Sequence, residues 1–133
     1  MRKLAGAPMF DKKLMENVMN EVNSRSREWF NEFSAKVLFE FGDRSYLLKV
    51  FEGKILDIKE DPPWTEGWDF ALRGRAEEWD KFMRRAPLHN DLFACLRRGF
   101  LKIEGDAELA MGNIRALMEI LEIMRGEYEK WRR

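Results

Sequence analysis

The stretch Arg98-Gly99-Phe100-Leu101-Lys102-Ile103-Glu104-Gly105-Asp106 says most about how this chain folds. Phe100 to Glu104 reads as a short strand, because Gly99 on one side and Gly105-Asp106 on the other punctuate it. Upstream, Leu88, Leu92, Cys95 and Leu96 recur at helical spacing, and Arg97 and Arg98 fall at the helix end where the backbone dipole favours cations. Downstream, Leu109, Ile114, Leu117, Met118, Leu121, Met124 and Tyr128 trace a single stripe, which predicts one long amphipathic helix.

Further towards the N-terminus, Trp68-Asp69-Phe70-Ala71-Leu72-Arg73 alternates, so a strand is expected with Trp68, Phe70 and Leu72 on one face. After Gly74 the period returns to that of a helix through Ala76, Trp79, Phe82 and Met83, and Ala86-Pro87 breaks it. Before this lies a meander. Val37, Phe39 and Phe41 form one face of a strand, and Gly42-Asp43 turns it. The return strand places Tyr46, Leu48 and Val50 opposite Leu47, Lys49 and Phe51. A second hairpin at Gly53-Lys54 leads to Ile55–Lys59, which Asp61-Pro62-Pro63 stops.

Residues 1–9 read as a loose arm, and structure is expected from Phe10. Asp11 caps a helix bearing Leu14, Met15, Val18, Met19 and Val22 that ends near Asn23, with Phe10 and Met15 as a hydrophobic staple. Ser24 or Ser26 would cap a short turn carrying Trp29, Phe30 and Phe33. Runs of strands beside runs of helices indicate an α+β class, with one domain over residues 10–133.

Composition bounds the function. With 133 residues there is one core, and 45% hydrophobic residues with 36% charged describe a folded chain with a solvated exterior. The 24 basic and 24 acidic residues cancel, so the long-range field that recruits nucleic acid is missing and no nucleic-acid partner is expected. Charges interrupt every apolar run, which argues against stable membrane insertion. A lone Cys95 and an N-terminus without an apolar run after Arg2-Lys3 lead to the expectation of a cytoplasmic protein, monomer or homodimer.

Taken together, Trp68–Gly74, the helix with Trp79 and Phe82, and Arg98–Asp106 resemble the sterol carrier protein type two family. In that family a helix runs into a Gly-Lys-x-Lys-Ile-x-Gly-Asp strand and turn, followed by a leucine-rich helix. Here Leu109 to Leu121 stands in that place, and Lys36 to Lys59 lies where the family has its first three strands. Phe100 departs from the family, which often carries lysine there, and the tail from Gly126 to Trp131 matches no family element. The resemblance implies a mostly antiparallel five-stranded sheet covered by helices, with a tunnel for fatty acyl chains, sterols or similar lipids. Carried onto this chain, the wall of that tunnel would comprise Phe70, Leu72, Trp79, Phe82 and Met83, then Leu92, Leu96 and Met111, and finally Ile114, Leu117, Met118 and Leu121.

The residues alone leave two readings open. The methionines and the stripe Ile114, Leu117, Leu121 suit a pliable cavity or simply a filled core. Catalysis has little to draw on. His89 and Cys95 are single members of their types, on different helix faces, so neither a zinc site nor a cysteine–histidine pair is expected. His89 reads as a cap or surface residue beside Pro87, and Cys95 as a small buried hydrophobe. Glu77-Glu78 and Glu60-Asp61 read as solvated surface, and no glycine-rich phosphate loop exists, so no enzyme activity and no cofactor are expected. Arg73, Arg75, Arg84, Arg85, Arg97 and Arg98 could grip a carboxylate or a lipid phosphate, but Glu77, Glu78, Asp80 and Glu104 offer them local ion pairs. A protein-interaction module with a filled core, using Trp64 and Trp131, is the rival from another class, and an accessory that presents apolar substrate to an enzyme is a third reading.

Overall fold

Asp11 accepts a hydrogen bond from Leu14 N at 2.8 Å and so starts helix α1 (Lys12–Ser24), whose Leu14, Met15, Val18 and Val22 are buried. Phe10 and Met15 are both buried, as a staple requires. The computed structural model describes residues 10–25 and 29–133; the expected arm 1–9 and the candidate cap Ser26 lie outside them. Ser24 is the last residue of α1 rather than the cap of a new turn, and a short 3₁₀ turn spans Trp29–Glu32.

Five strands follow the expected alternation: β1 (Ala35–Phe41), β2 (Arg44–Phe51), β3 (Lys54–Glu60), β4 (Phe70–Gly74) and β5 (Leu101–Gly105). Their order is β3-β2-β1-β4-β5, antiparallel throughout except that β1 and β4 run parallel. The hairpin at Gly42-Asp43 is present. The second turn is Glu52-Gly53, one residue earlier than expected, with φ of +49° and +81°. Positive φ at both central positions gives the turn the twist that two paired strands need, and Gly53 adopts it without steric cost. Asn23, near the end of α1, covers the β3 edge: its Nδ2 donates to Ile55 O (2.9 Å) and its Oδ1 accepts from Ile55 N (2.8 Å). That occupies backbone groups that would otherwise pair with another chain.

One face of the sheet, with Val37, Phe39, Phe41, Tyr46, Leu48, Val50, Phe70 and Leu72, joins α1, α2 (Ala76–Met83), α3 (Leu92–Arg98) and α5 (Ile114–Arg132) in the main core. Trp79 sits inside it, edge-on to Phe39, Phe41 and Phe82, and its indole donates to Glu40 O at 2.7 Å. That partner lets a tryptophan be wholly buried without an orphaned N–H.

Trp68 is not on the face of Phe70 and Leu72. It packs with Leu38, Leu47 and Ala71 on the opposite face. The ladder begins only at Phe70, because Asp69 is held outside it: Lys36 N donates to Asp69 Oδ2 (2.8 Å) and Asp69 N to Lys36 O (2.9 Å). A period of two does not extend past the start of a strand.

The helix expected from Leu88 begins four residues later, capped by Asp91, whose side chain accepts from Ala94 N at 2.8 Å. Leu88 lies in the preceding loop at φ +73° and is 53% exposed. α3 ends on left-handed Gly99, and Phe100 N donates to Cys95 O, which places Phe100 just before β5. The long C-terminal stripe is two helices, α4 (Ala107–Gly112) and α5. Asn113 breaks it by bonding Nδ2 to Leu109 O (3.0 Å), a local side-chain bond that competes with the helical ladder. The tail after Gly126 continues α5, where buried Tyr128 stacks on Phe10 and Trp131 and donates its hydroxyl to Asp80.

Candidate functional site

The last turn of α2, the loop to α3, the start of α3 and the middle of α5 enclose a small recess. Phe82, Leu92, Met118 and Leu121 supply its apolar wall, and Asn90, Asp91, Glu122 and Arg125 its polar margin, around about 50 Å³. That volume suits one or two small groups. A drug-sized ligand needs roughly 300 Å³ or more, so a lipid would enter here only by parting the walls.

Arg125 holds those walls together. Its Nε donates to Phe82 O (2.9 Å), Nη2 to His89 O (3.2 Å) and Asn90 O (3.0 Å), and Nη1 to Glu122 (2.9 Å). The guanidinium also lies 3.9 Å from the Phe82 ring centroid, where the π face favours a cation. Burial pulls its pKa below the usual arginine value and nearby Arg85 adds to this, while Glu122 opposes both. The arginine that ties α5 to α2 and the loop was not anticipated from the sequence. The signal was present: Arg125 falls four residues after Leu121 and three before Tyr128, on the buried stripe.

Behind the recess lies a second buried polar contact. His89 is 4% exposed and Glu78 8%, and a ring nitrogen of His89 meets Glu78 Oε1 at 2.6 Å. The imidazole is stacked flat on Phe100 at 4.2 Å. His89 is therefore neither a cap nor a surface residue, and Glu78, unlike exposed Glu77, is not solvated surface. The hydrogen bond from His89, helped by Arg75, holds the Glu78 carboxyl below the ordinary carboxylate range against the opposing effect of burial. Two residues that would each be costly to bury alone are tolerated together.

The other expected wall residues divide by depth. Phe70, Leu72, Trp79 and Leu117 are fully buried in the main core, with Met83 close by in burial. Leu96 and Ile114 are half-buried against that core, and Met111 is exposed. Phe82, Leu92, Met118 and Leu121 are the four that meet in the recess. Of the arginines, Arg73 pairs with Glu40 and Glu104, Arg75 with Glu77 and Glu78, Arg84 with Asp80, and Arg85 with Glu122. Local pairing is the expected arrangement for them.

Cys95 is fully buried, and burial pushes its thiol up to about 11, against a smaller opposing pull from Arg125. The thiolate is the reactive form, so the native protein near neutral pH should leave a disulfide-type thiol reagent almost untouched. The denatured chain should consume one equivalent. Rapid labelling of the native protein would show that Cys95 is accessible and activated.

No protein-family model matches this chain, and no curated protein matches it. Solved structures do. A conserved hypothetical protein from Thermus thermophilus, regarded as a candidate sterol carrier protein, superposes with a TM-score of 0.74 at 14% identity over 95% of this chain and 94% of its own. A crystal structure of sterol carrier protein 2 gives 0.71 at 14% identity, over 89% of this chain and 98% of that one. The ubiquinone synthesis protein UbiJ-SCP2 gives 0.55 at 17% identity, over 90% and 98% respectively. At these identities the likeness establishes the fold: a sterol carrier protein 2-like α+β arrangement.

Proposed function

We propose that this protein binds a lipid-like apolar ligand without chemical change, in the seam between α2, α3 and α5. The observation that carries the reading is the meeting of Phe82, Leu92, Met118 and Leu121 from three separate helices around unfilled space in this fold. Met118 is half-buried at that seam, and a flexible, polarizable side chain there can move aside for an acyl chain or a ring system. Each methylene taken from water into the seam would contribute about 0.8 kcal/mol. The sterol carriers among the structural neighbours support this choice of ligand class. We read the protein as a carrier rather than an enzyme, because His89 and Cys95, which could have served chemistry, are both occupied in packing.

Met118→Trp tests it. If the seam opens for ligand, the indole fills that space, and binding of a fluorescent fatty acid should fall at least about tenfold while the melting temperature of the ligand-free protein stays level or rises. If the seam is closed core, overpacking costs about 1 to 3 kcal/mol and the variant melts earlier. Earlier melting, together with no fatty-acid binding by the parent protein, would sink the proposal.

One observation favours a second reading. Trp64 is 93% exposed, so its whole ring is available to a partner, and tryptophan is enriched among residues that anchor interfaces. A protein-interaction surface would use it, and native mass spectrometry decides between the two. A ligand-free dimer lost on Trp64→Ser would support interaction, and a monomer with co-purified lipid would support the carrier.

A further inference from the structure

At one end of the sheet the outward side chains of β1, β4 and β5 form a row. Arg73 stands in register between Glu40 and Lys102. Two cations placed directly opposite on adjacent strands repel, and a fold keeps such a pair only at a cost. Arg73 is partly compensated by Glu40 at 2.9 Å and Glu104 at 2.6 Å, yet its Nε, though next to Glu104, has no aligned hydrogen bond. Lys102 is exposed and has no carboxylate partner among the described residues.

The row borders an open recess of about 620 Å³, a volume in the range of small-molecule sites. Arg75 enters it from the start of α2. Its side chain is 72% exposed, and its contacts with Glu77 (3.5 Å) and Glu78 (3.1 Å) are of the solvent-screened kind that contribute little. The guanidinium can therefore turn part of its fork to a new acceptor while His89 remains on Glu78. Phe100 lines the recess, and beside it Gly99 leaves open space where a side chain would stand.

We infer that this recess binds a phosphate group, held between Arg73, Arg75 and Lys102. Cations converge from β4, the start of α2 and β5, which suits a tetrahedral oxyanion with oxygens on several sides, and guanidinium forks match phosphate geometry. Glu40 and Glu78 in the same lining, with Glu104 and Glu77 paired to the same arginines, oppose an extended polyanion, so a single phosphate, from a phospholipid headgroup or a free monoester, is the most that the cluster would hold. The recess has a lining distinct from that of the apolar seam, which lies among Phe82, Leu92 and Met118.

The test is a titration of the full chain with inorganic phosphate, followed by backbone amide NMR and matched to sodium chloride at equal ionic strength. A parallel measurement follows co-sedimentation with phosphatidylcholine vesicles, with and without phosphatidic acid. Saturable shifts at Gly74, Arg75, Gly99 and Lys102, weakened about tenfold by Arg75→Ala or Lys102→Ala, would establish the site for free phosphate. Sedimentation that requires phosphatidic acid and is lost on Lys102→Glu would establish it for a headgroup. The inference is overturned if phosphate shifts these amides no more than chloride does and Lys102→Glu leaves vesicle binding unchanged or there is none to lose. Both side chains are exposed, so these variants should keep the parent far-UV spectrum.

Discussion

Arg125→Met should destabilise the protein by about 3 kcal/mol, read as a fall in the urea midpoint with an unchanged slope. Methionine keeps most of the apolar stem, so the change isolates the guanidinium. Two effects compete. Removing a buried ion and filling its place with an apolar side chain is often neutral or stabilising, because desolvation of the charge is recovered. Here that gain is outweighed by the acceptors left behind. His89 O and Asn90 O each lose their bond from Nη2, Phe82 O loses one of its donors, and Glu122 keeps only Arg85. A buried acceptor without a donor costs about 1 to 3 kcal/mol. Arg125→Lys should recover less than half of the loss, since one ammonium cannot reach acceptors on both α2 and the loop. A methionine variant as stable as the parent would show that the loop does not depend on this tie. If the seam opens for ligand, both variants should also release ligand faster, because the same tie holds α5 against the loop.

His89→Leu should cost about 2 to 3 kcal/mol at neutral pH, and the loss should shrink in acid. Leucine preserves much of the contact with Phe100 but leaves Glu78 buried with only exposed Arg75 to neutralise it. In the parent protein His89 and Arg75 lower the Glu78 pKa. A carboxylate lowered on folding contributes stability above its unfolded pKa of about 4.3, and that contribution is lost as pH falls through the lower folded value. In the variant the larger part of this support, from His89, is gone and burial acts in the opposite direction, so protonation of Glu78 costs the variant less. Thermal melts of both proteins from neutral to acid pH should therefore converge below about pH 4. A constant gap at every pH would assign the loss to packing against Phe100 rather than to the carboxylate.

These two contacts show where a sequence reading stops. Glu78 stands beside Glu77 on the first turn of a helix, and although its spacing to Phe82 puts it at the edge of the apolar stripe, the partner that lets it be buried, His89, comes from a separate loop. The spacing of Arg125 puts it on the buried stripe, but its acceptor, 43 residues away, is fixed only by the packing of α5 on α2. The wall residues show the converse. Leu92, Met118 and Leu121 were each placed on an apolar stripe by spacing alone, but their meeting around one recess depends on how three helices cross.

The class of the fold and most of its elements were legible in the order of residues alone. Period-two alternation in Val37–Phe41 and Tyr46–Val50, the turn at Gly42, the cap at Asp11 and the spacing of Ala76 to Met83 are local properties, and the backbone answers to them within a few residues. Packing between distant segments was needed to set the rest: that β1 pairs in parallel with β4, that Trp68 crosses to the opposite face, and that Glu78, His89 and Arg125 are buried. The division has a thermodynamic origin. Apolar residues contribute by leaving water and need no particular partner, so their pattern alone points inward. Polar groups can leave water only where a matching donor or acceptor waits, and that partner is set by the packing of segments distant in the chain.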